Sequence, residues 1–353
     1  MAYKRKSTEN TELRDYQKEL TDKFIANIES AIANGEKDNW SKPWFTLNEI
    51  PYNLSTGEKY TGMNIAILAS SQYNDPRYMT FNQMREYAEK NNLDLKLAPG
   101  SKAEYIVRVV PLYERDDKGR VIKGEDGKEV PLVDENGRPK VAFKYMPVFS
   151  CSCIQGLPEY KLPVPKTDFE VAKEISDLTS ALQEKTSLNV EHSNKPRAFY
   201  SPSQHKVHLP NKHLFESEHG YYNTLLHEFG HSTGPALNRD MSGQFGSKPY
   251  AKEELCAELS AAFMSMELGL QRKIGSADLS KSHENTKEYL QNWVAALRND
   301  TSLIATASNQ ASKAATYQIE HLKQYKQEQK QKQSISSQSK QETKEELSLG
   351  LSM

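Results

Sequence analysis

The sequence predicts an α+β protein of two domains, and three observations lead there. Its 353 residues exceed what a single hydrophobic core usually organises. Residues 51–152 mix short β-branched and aromatic runs with turn signals, whereas residues 168–324 read mostly as helices. Between them residues 158–165 hold three prolines, a linker composition. The expected division is an α+β domain over 11–158, a linker over 159–166, and a mostly helical domain with a small edge sheet over 167–325. Residues 1–10 are expected to be a flexible tail. Residues 326–353 are expected to be disordered, because Gln, Lys, Ser and Glu dominate them and cannot bury enough surface to fold alone.

The elements follow in order. Leu20, Phe24, Ile25, Ile28 and Ile32 recur near helical spacing in 13–33, and Gly35 can end that helix. Residues 65–71 read as helix. Residues 78–81 read as a strand opening into a helix over 82–91. Residues 105–113 are the clearest strand, rich in β-branched and aromatic side chains. Residues 115–140 contain Asp117-Lys118-Gly119, Glu125-Asp126-Gly127 and Glu135-Asn136-Gly137, turn signals that predict an exposed hairpin insertion. Residues 144–152 return as a strand. The second domain opens with a helix over 168–186. Helices are then predicted over 221–231, 250–269, 285–297 and 308–324, with a short strand at 205–210.

Composition narrows the function classes. Charged residues are 26% and hydrophobic ones 37%, and no apolar run approaches the length of a membrane span. The basic N-terminus lacks the apolar stretch of a secretory signal. Three cysteines cannot build a disulfide framework, so the expected compartment is a reducing cytoplasm. Cys151 and Cys153 are too close for a zinc knuckle. Net charge is −1, and residues 1–150 carry 23 basic against 23 acidic side chains, so composition alone gives no push toward nucleic acid.

The pentad His227-Glu228-Phe229-Gly230-His231 has the H-E-x-x-H form. On a helix, residues four apart lie one above the other, so both imidazoles leave one face and can fill two corners of a tetrahedral zinc site. Glu228 is then placed to take a proton from a water at the ion. A hydrolytic site needs a third ligand. The pattern with a histidine after Gly234 is rejected, because Leu237 stands in its place. A glutamate on the next helix remains. Glu254 and Glu258 share a face, and the pair resembles the E-x-x-x-D arrangement of thermolysin-like zincins. Glu254 is therefore assigned as third ligand and Glu258 as acceptor from a histidine N–H. Glu253 is the runner-up ligand. Tyr250 and a histidine of the preceding strand are the candidates for stabilising an oxyanion. His205, His208, His213 and His219 lack ligand spacing and are read as surface histidines. In zincins an edge strand before the metal helix aligns the substrate, so 205–210 is a candidate for lining the cleft. Cys256 is read as a small buried hydrophobe.

The motif order resembles the ArdC-type antirestriction proteins of plasmids and other mobile elements. In the first domain the resemblance rests on Trp40-x-x-Pro43-Trp44, Pro51-x-Asn53, Gly57-x-x-Tyr60-x-Gly62-x-Asn64 and Arg77-Tyr78-x-Thr80. In the second it rests on Tyr221-Tyr222-x-Thr224-Leu225-x-His227-Glu228-x-Gly230-His231-x-Thr233-Gly234, Phe245-Gly246, and Tyr250-Ala251-x-Glu253-Glu254-Leu255-x-Ala257-Glu258. The resemblance implies an N-terminal domain that binds single-stranded DNA, a C-terminal zincin-like metallopeptidase domain with Zn²⁺, and protection of incoming DNA from host restriction. The insertion at 115–140 and the pair Cys151 and Cys153 depart from what that family leads one to expect.

Single-strand binders stack bases on aromatics and track phosphates with Lys and Arg. Trp40, Lys42, Trp44, Asn53, Lys59, Tyr60, Asn64, Arg77 and Tyr78 are the DNA-contact candidates on that ground. Core packing competes for the aromatics, and turn or helix capping for the two asparagines. Two alternatives stay open: a regulatory zinc protease that cleaves a host or repressor protein with the first domain as localiser, and a purely structural zinc site. The intact Glu228 argues against the second.

Overall fold

The computed structural model of the chain describes residues 16–33, 47, 49–215, 217–244, 247–270 and 286–350. The chain forms two compact units, Pro51–Lys161 and Met1–Ile50 with Leu162–Met353. Both mix helix and strand, as an α+β reading requires. Helix α1 (Tyr16–Ala33) belongs to the second unit.

The unit over 51–161 is built on a four-stranded sheet. Strand β1 (Tyr52–Asn53) leads into helix α2 (Met63–Ala69), then β2 (Arg77–Met79) and helix α3 (Phe81–Asn91). Thr80 caps α3 with a full capping box, exchanging bonds with Gln83, so the helix starts where the strand stops. Strand β3 (Lys96–Leu97) follows, then the long hairpin of β4 (Glu104–Pro111) and β5 (Val141–Ser150), and β6 (Ile154–Gln155). The sheet order is β1-β2-β5-β4, and β3 pairs with β6 apart from it. β4 and β5 run antiparallel from Glu104↔Val148 to Pro111↔Val141. Met79, Met84, Leu95, Cys151 and Ile154 form a buried cluster at the base of this sheet.

Residues 112–140 extend the hairpin as a meander of isolated bridges, among them Arg115↔Val121, Lys123↔Glu129 and Val133↔Pro139. Asp116 and Asp134 each accept from backbone N–H groups two and four residues on, and the glycine of each turn takes positive φ.

The second unit is mostly helical. Helix α4 (Asp168–Thr186) opens with a capping box between Thr167 and Glu170. Strands β7 (Asn189–Ser193), β8 (Phe199–Ser201) and β9 (Lys206–Pro210) form a small sheet of order β7-β9-β8. The sequence reading found only β9 and took it for the edge strand. It is the central strand, and β8, antiparallel to it, is an edge. β7 and β8 were missed because 189–193 is polar apart from Val190, and 199–201 is only three residues long, too short for alternation to show.

Helices α5 (Glu218–Ser232), α6 (Lys248–Glu267), α7 (Thr286–Asn299) and α8 (Leu303–Gly350) complete the unit. α6 packs on both α5 and α8. That sandwich explains why its buried residues run almost without break from Ala251 to Met266 rather than along one stripe. Phe263, Met264 and Leu255 are essentially fully enclosed, each worth about 1.5–3 kcal/mol of transfer free energy.

Two segments pack differently from the expected division. α1 does not join the unit over 51–161: Phe24 and Ile28 are fully buried, α1 packs on α7 and α8, and the Thr21 hydroxyl donates to the Thr301 carbonyl at 3.0 Å. Its apolar stripe finds its partner at the far end of the chain, which spacing along the sequence cannot reveal. The stretch expected to be disordered from 326 is helical to Gly350. Gln, Lys and Glu are good helix formers, and the first turn past 325 docks on α4 through Lys326–Glu174 and Lys185–Glu328, both at 2.6 Å. Residues 1–10 and 351–353 lie outside the described residues. No helix of the described residues is long and apolar enough to cross a membrane.

Candidate metal centre

Helix α5 carries the pentad because Ser217 caps its start, accepting from the Gly220 N–H, and Glu218 meets the positive helix end. α6 starts at Ser247, whose hydroxyl accepts from the Tyr250 N–H, with Pro249 in its first turn. The helices meet where Gly230 faces Ala257. A Cβ on Gly230 would stand 3.1 Å from the Ala257 Cα and carbonyl oxygen. This close approach brings the acids of α6 to the histidines of α5.

His227, His231 and Glu254 converge, with one donor atom from each within 4.8 Å of the others. The two Nε2 atoms are 3.1 Å apart. Glu254 Oε2 is 3.4 Å from His227 Nε2, and its Oε1 is 3.6 Å from His231 Nε2. An ion about 2.1 Å from each of three tetrahedral donors spaces them roughly 3.4 Å apart. The observed separations fit that arrangement, and two imidazole nitrogens with one carboxylate oxygen are a suitable donor set.

The outer nitrogens face acids too. Glu253 Oε1 is hydrogen-bonded to His231 Nδ1 at 3.0 Å. Glu258 Oε1 stands 2.8 Å from His227 Nδ1, close enough for an ion pair, but Nδ1 makes no aligned hydrogen bond there. Glu253 thus faces the outside of the cluster and Glu254 the inside. The Tyr250 hydroxyl is hydrogen-bonded to Glu254.

Burial alone would lower the histidine pKa values and raise the carboxyl ones. The acids outweigh burial at the histidines: His231 is carried up to about 9 by Glu254 and Glu253, and His227 well up by Glu258 and Glu254. The histidines hold Glu254 well below the usual carboxylate range. Glu228 behaves differently. Its burial wins over the nearby imidazoles and raises it, although the Tyr200 backbone N–H supports its ionised form. That bond sets the edge strand β8 beside Glu228. Burial, then Glu254, pushes the Tyr250 phenol up, so it stays protonated. Burial raises the Cys256 thiol to about 12, leaving it an inert core residue.

Sequence reading missed Arg239. Its guanidinium grips both Glu253 oxygens, Nε to Oε2 and Nη2 to Oε1 at 2.9 Å each. It also donates to the Gly230 carbonyl and the Thr233 hydroxyl, both at 2.7 Å. It lies in a loop with no periodicity to mark it. A cavity of about 370 Å³ lies behind Arg239 and Glu253, with Lys248, Lys252 and Asp300 also lining it.

The histidines of the strand region are tied into local structure. His208 is buried, with its Nδ1 on the Arg197 carbonyl and its Nε2 on the Ser193 hydroxyl, both at 2.8 Å, which corrects its reading as a surface residue. His205 Nδ1 meets the Tyr200 hydroxyl at 2.8 Å. His213 is exposed and His219 is half-buried.

The DNA candidates fare unevenly. Trp40, Lys42 and Trp44, like the motif residues Phe245 and Gly246, lie outside the described residues. Tyr78 has no exposed surface, and its hydroxyl meets the Ser71 hydroxyl at 2.9 Å, so it cannot stack a base. Arg77 is forked onto Asp75 and donates to the Pro158 carbonyl, a brace rather than a free cation. Asn64 bonds both backbone groups of Val107, at 2.7 and 2.9 Å, tying α2 to β4. Asn53 caps a turn, accepting from the N–H groups of Ser55 and Thr56. Tyr60 is half-buried, with its hydroxyl enclosed. Lys59 is exposed.

Comparison with known proteins also divides the chain in two, with α1 falling within the N-terminal match. A model of the N-terminal domain of anti-restriction factor ArdC matches residues 14–149, and a model of a zincin-like metallopeptidase matches 178–310. The chain is 29% identical over 328 residues to an Escherichia coli protein named DNA primase TraC, covering 91% of this chain and 29% of that protein. It therefore spans less than a third of that relative. The crystal structure of antirestriction ArdC protein from R388 plasmid is similar in its metal-free form, with TM-score 0.61 and 27% identity over 88% of this chain and 99% of that one. Its Mn(II)-bound form has TM-score 0.60 and 28% identity, over 88% and 98%.

Proposed function

Because the chain is an ArdC-type protein, joining an ArdC N-terminal domain to a zincin-like metallopeptidase domain, we propose that it binds single-stranded DNA and carries a metal-dependent peptidase centre that serves antirestriction. The observation that carries the peptidase half is the convergence of His227, His231 and Glu254 with buried Glu228 beside them. Those three residues would hold the ion, and zinc suits their donor set. The Mn(II)-bound ArdC structure supports a divalent cation in this fold. Bound there, the cation would polarise a peptide carbonyl and acidify a water.

The chain's own residues supply the rest. Glu228 takes the proton from the attacking water and passes it to the leaving amine. Its raised carboxyl makes it a better base than an exposed glutamate. The protonated Tyr250 hydroxyl is the donor for the oxyanion. Edge strand β8 runs beside Glu228 and offers backbone groups to an extended peptide.

The DNA half rests on the ArdC N-terminal match. Of the candidates within the described residues, Lys59 is exposed, where a lysine can meet a phosphate.

The test uses the full chain. Glu228→Gln should retain metal and DNA binding and lose antirestriction in a conjugation assay with a restricting host. Full protection by that variant would reject peptidase chemistry and leave a binding role. Equal affinity for single and double strands across a salt series would reject the single-strand reading.

A further inference from the structure

We propose that Arg239 is a positioning residue for the metal centre, holding Glu253 against His231 and thereby fixing which ring nitrogen of His231 faces the ion. This rests on the metal reading of His227, His231 and Glu254 given above.

Arg239 reaches the cluster from a sharp loop after α5. Its own N–H returns to the Gly234 carbonyl at 2.9 Å, and the preceding Asn238 sits at φ 52, in the left-handed region. That return aims the side chain back along the end of α5. Only 2% of the side chain is exposed. Two of its four acceptors, the Gly230 carbonyl and the Thr233 hydroxyl, are at the C-terminal end of the metal helix, where a cation is favoured and carbonyls lack helical partners. The other two are the oxygens of Glu253 on α6. One planar group therefore locks both helices at the level of His231.

The consequence for His231 is geometric. A carboxylate with both oxygens forked by a guanidinium cannot rotate without breaking two bonds. Glu253 Oε1 is thus kept at 3.0 Å from His231 Nδ1. With Nδ1 engaged as donor, Nε2 presents its lone pair toward Glu254 and His227. At His227 the outer acid is Glu258, 2.8 Å from Nδ1 but without the hydrogen-bond alignment that Glu253 has at His231.

A clamp that only holds two helices together would leave ion affinity unchanged once the protein is folded. The two roles separate in zinc titration of the full-length protein by chelator competition, with far-UV circular dichroism and Tm as folding controls. Arg239→Lys keeps the charge and loses the fork. Arg239→Met loses both, and Glu253→Gln leaves Arg239 in place. Each should weaken zinc binding about 10- to 100-fold, the scale of outer partners of metal-bound histidines. The double variant R239M/E253Q should lose no more than the worse single one, because Arg239 acts through Glu253. Wild-type zinc affinity in folded R239K or R239M overturns the proposal, as does full additivity in the double variant. Failure of the wild-type chain to bind zinc better than His231→Ala would overturn the metal reading itself.

Discussion

Gly230 on α5 lies against Ala257 on α6 so closely that one added methyl would stand 3.1 Å from both the Ala257 Cα and its carbonyl oxygen. Glycine inside a helix ordinarily costs about 0.5–1 kcal/mol relative to alanine, so Gly230→Ala would stabilise an isolated α5. Here the methyl meets backbone, which cannot swing aside. The expected result is net destabilisation of about 1–3 kcal/mol, the scale of overpacking, read as a lower midpoint in urea with unchanged m-value. A raised midpoint would mean that the helices have room to part.

The protonation of the cluster sets a pH dependence for ion binding. In the metal-free protein Glu254 and Glu253 carry His231 up to about 9, and Glu258 and Glu254 raise His227 well above 6.5. An ion must displace those protons. Zinc affinity should therefore climb as pH rises from 6.5 toward 9. Calorimetry at pH 7 in buffers of different ionisation enthalpy should show protons released on binding. A binding heat independent of buffer would contradict this.

The same shifts give the sign for metal-free stability. His231 is raised from 6.5 to about 9, so its contribution is complete below pH 6.5 and is lost as pH rises through about 9. The buried Glu228, raised from 4.5, works against stability as pH climbs above 4.5 toward its elevated value. Glu254 is lowered, so its contribution is present above pH 4.5 and is lost as pH falls. Metal-free protein should unfold at its highest temperature between about pH 5 and 6.5. A maximum at pH 9 would refute the charge arrangement.

The pentad was readable from the chain because helical spacing alone puts His227 and His231 on one face. Glu254 was readable because a helix after the pentad with acids four apart narrows the choice. What separates Glu254 from Glu253 is the rotation of α6 against α5, set by the contact of Gly230 with Ala257, which no spacing rule reports. Arg239 was illegible for a related reason: its place depends on the turn at Asn238, and a lone loop arginine carries no pattern. In the other unit, Tyr78 and Asn64 stood in motifs that look like ligand contacts. Their roles, a buried hydroxyl on Ser71 and a tie to Val107, come from the pairing of distant strands and helices.

The DNA candidates divide into scaffold and contact, and two substitutions separate them. Tyr78→Phe removes a hydroxyl buried against Ser71 and should cost about 1–2 kcal/mol of stability while leaving single-strand affinity unchanged. Lys59→Ala, at an exposed position, should shift stability by no more than about 1 kcal/mol and lower the slope of log affinity against log salt by about one phosphate contact. Loss of DNA affinity in folded Tyr78→Phe would return that residue to the binding surface. An unaltered salt slope in Lys59→Ala would remove the lysine from it.

Helix α8 runs on past 325 although its composition resembles a disordered tail, and its contact with α4 is what distinguishes the two. Lys326 pairs with Glu174, and Glu328 with Lys185. Glu174 is held down by both Lys326 and Lys166 despite partial burial, so one turn of α8 completes a charge cluster on α4. Ending the chain after Gln324 should lower Tm, and the drop should shrink in high salt, which screens exposed pairs. Ending it after Ser334 keeps both ion pairs and should leave Tm at the wild-type value. If both truncations behave alike, the docked turn contributes nothing and the helix beyond 325 is held by local propensity alone.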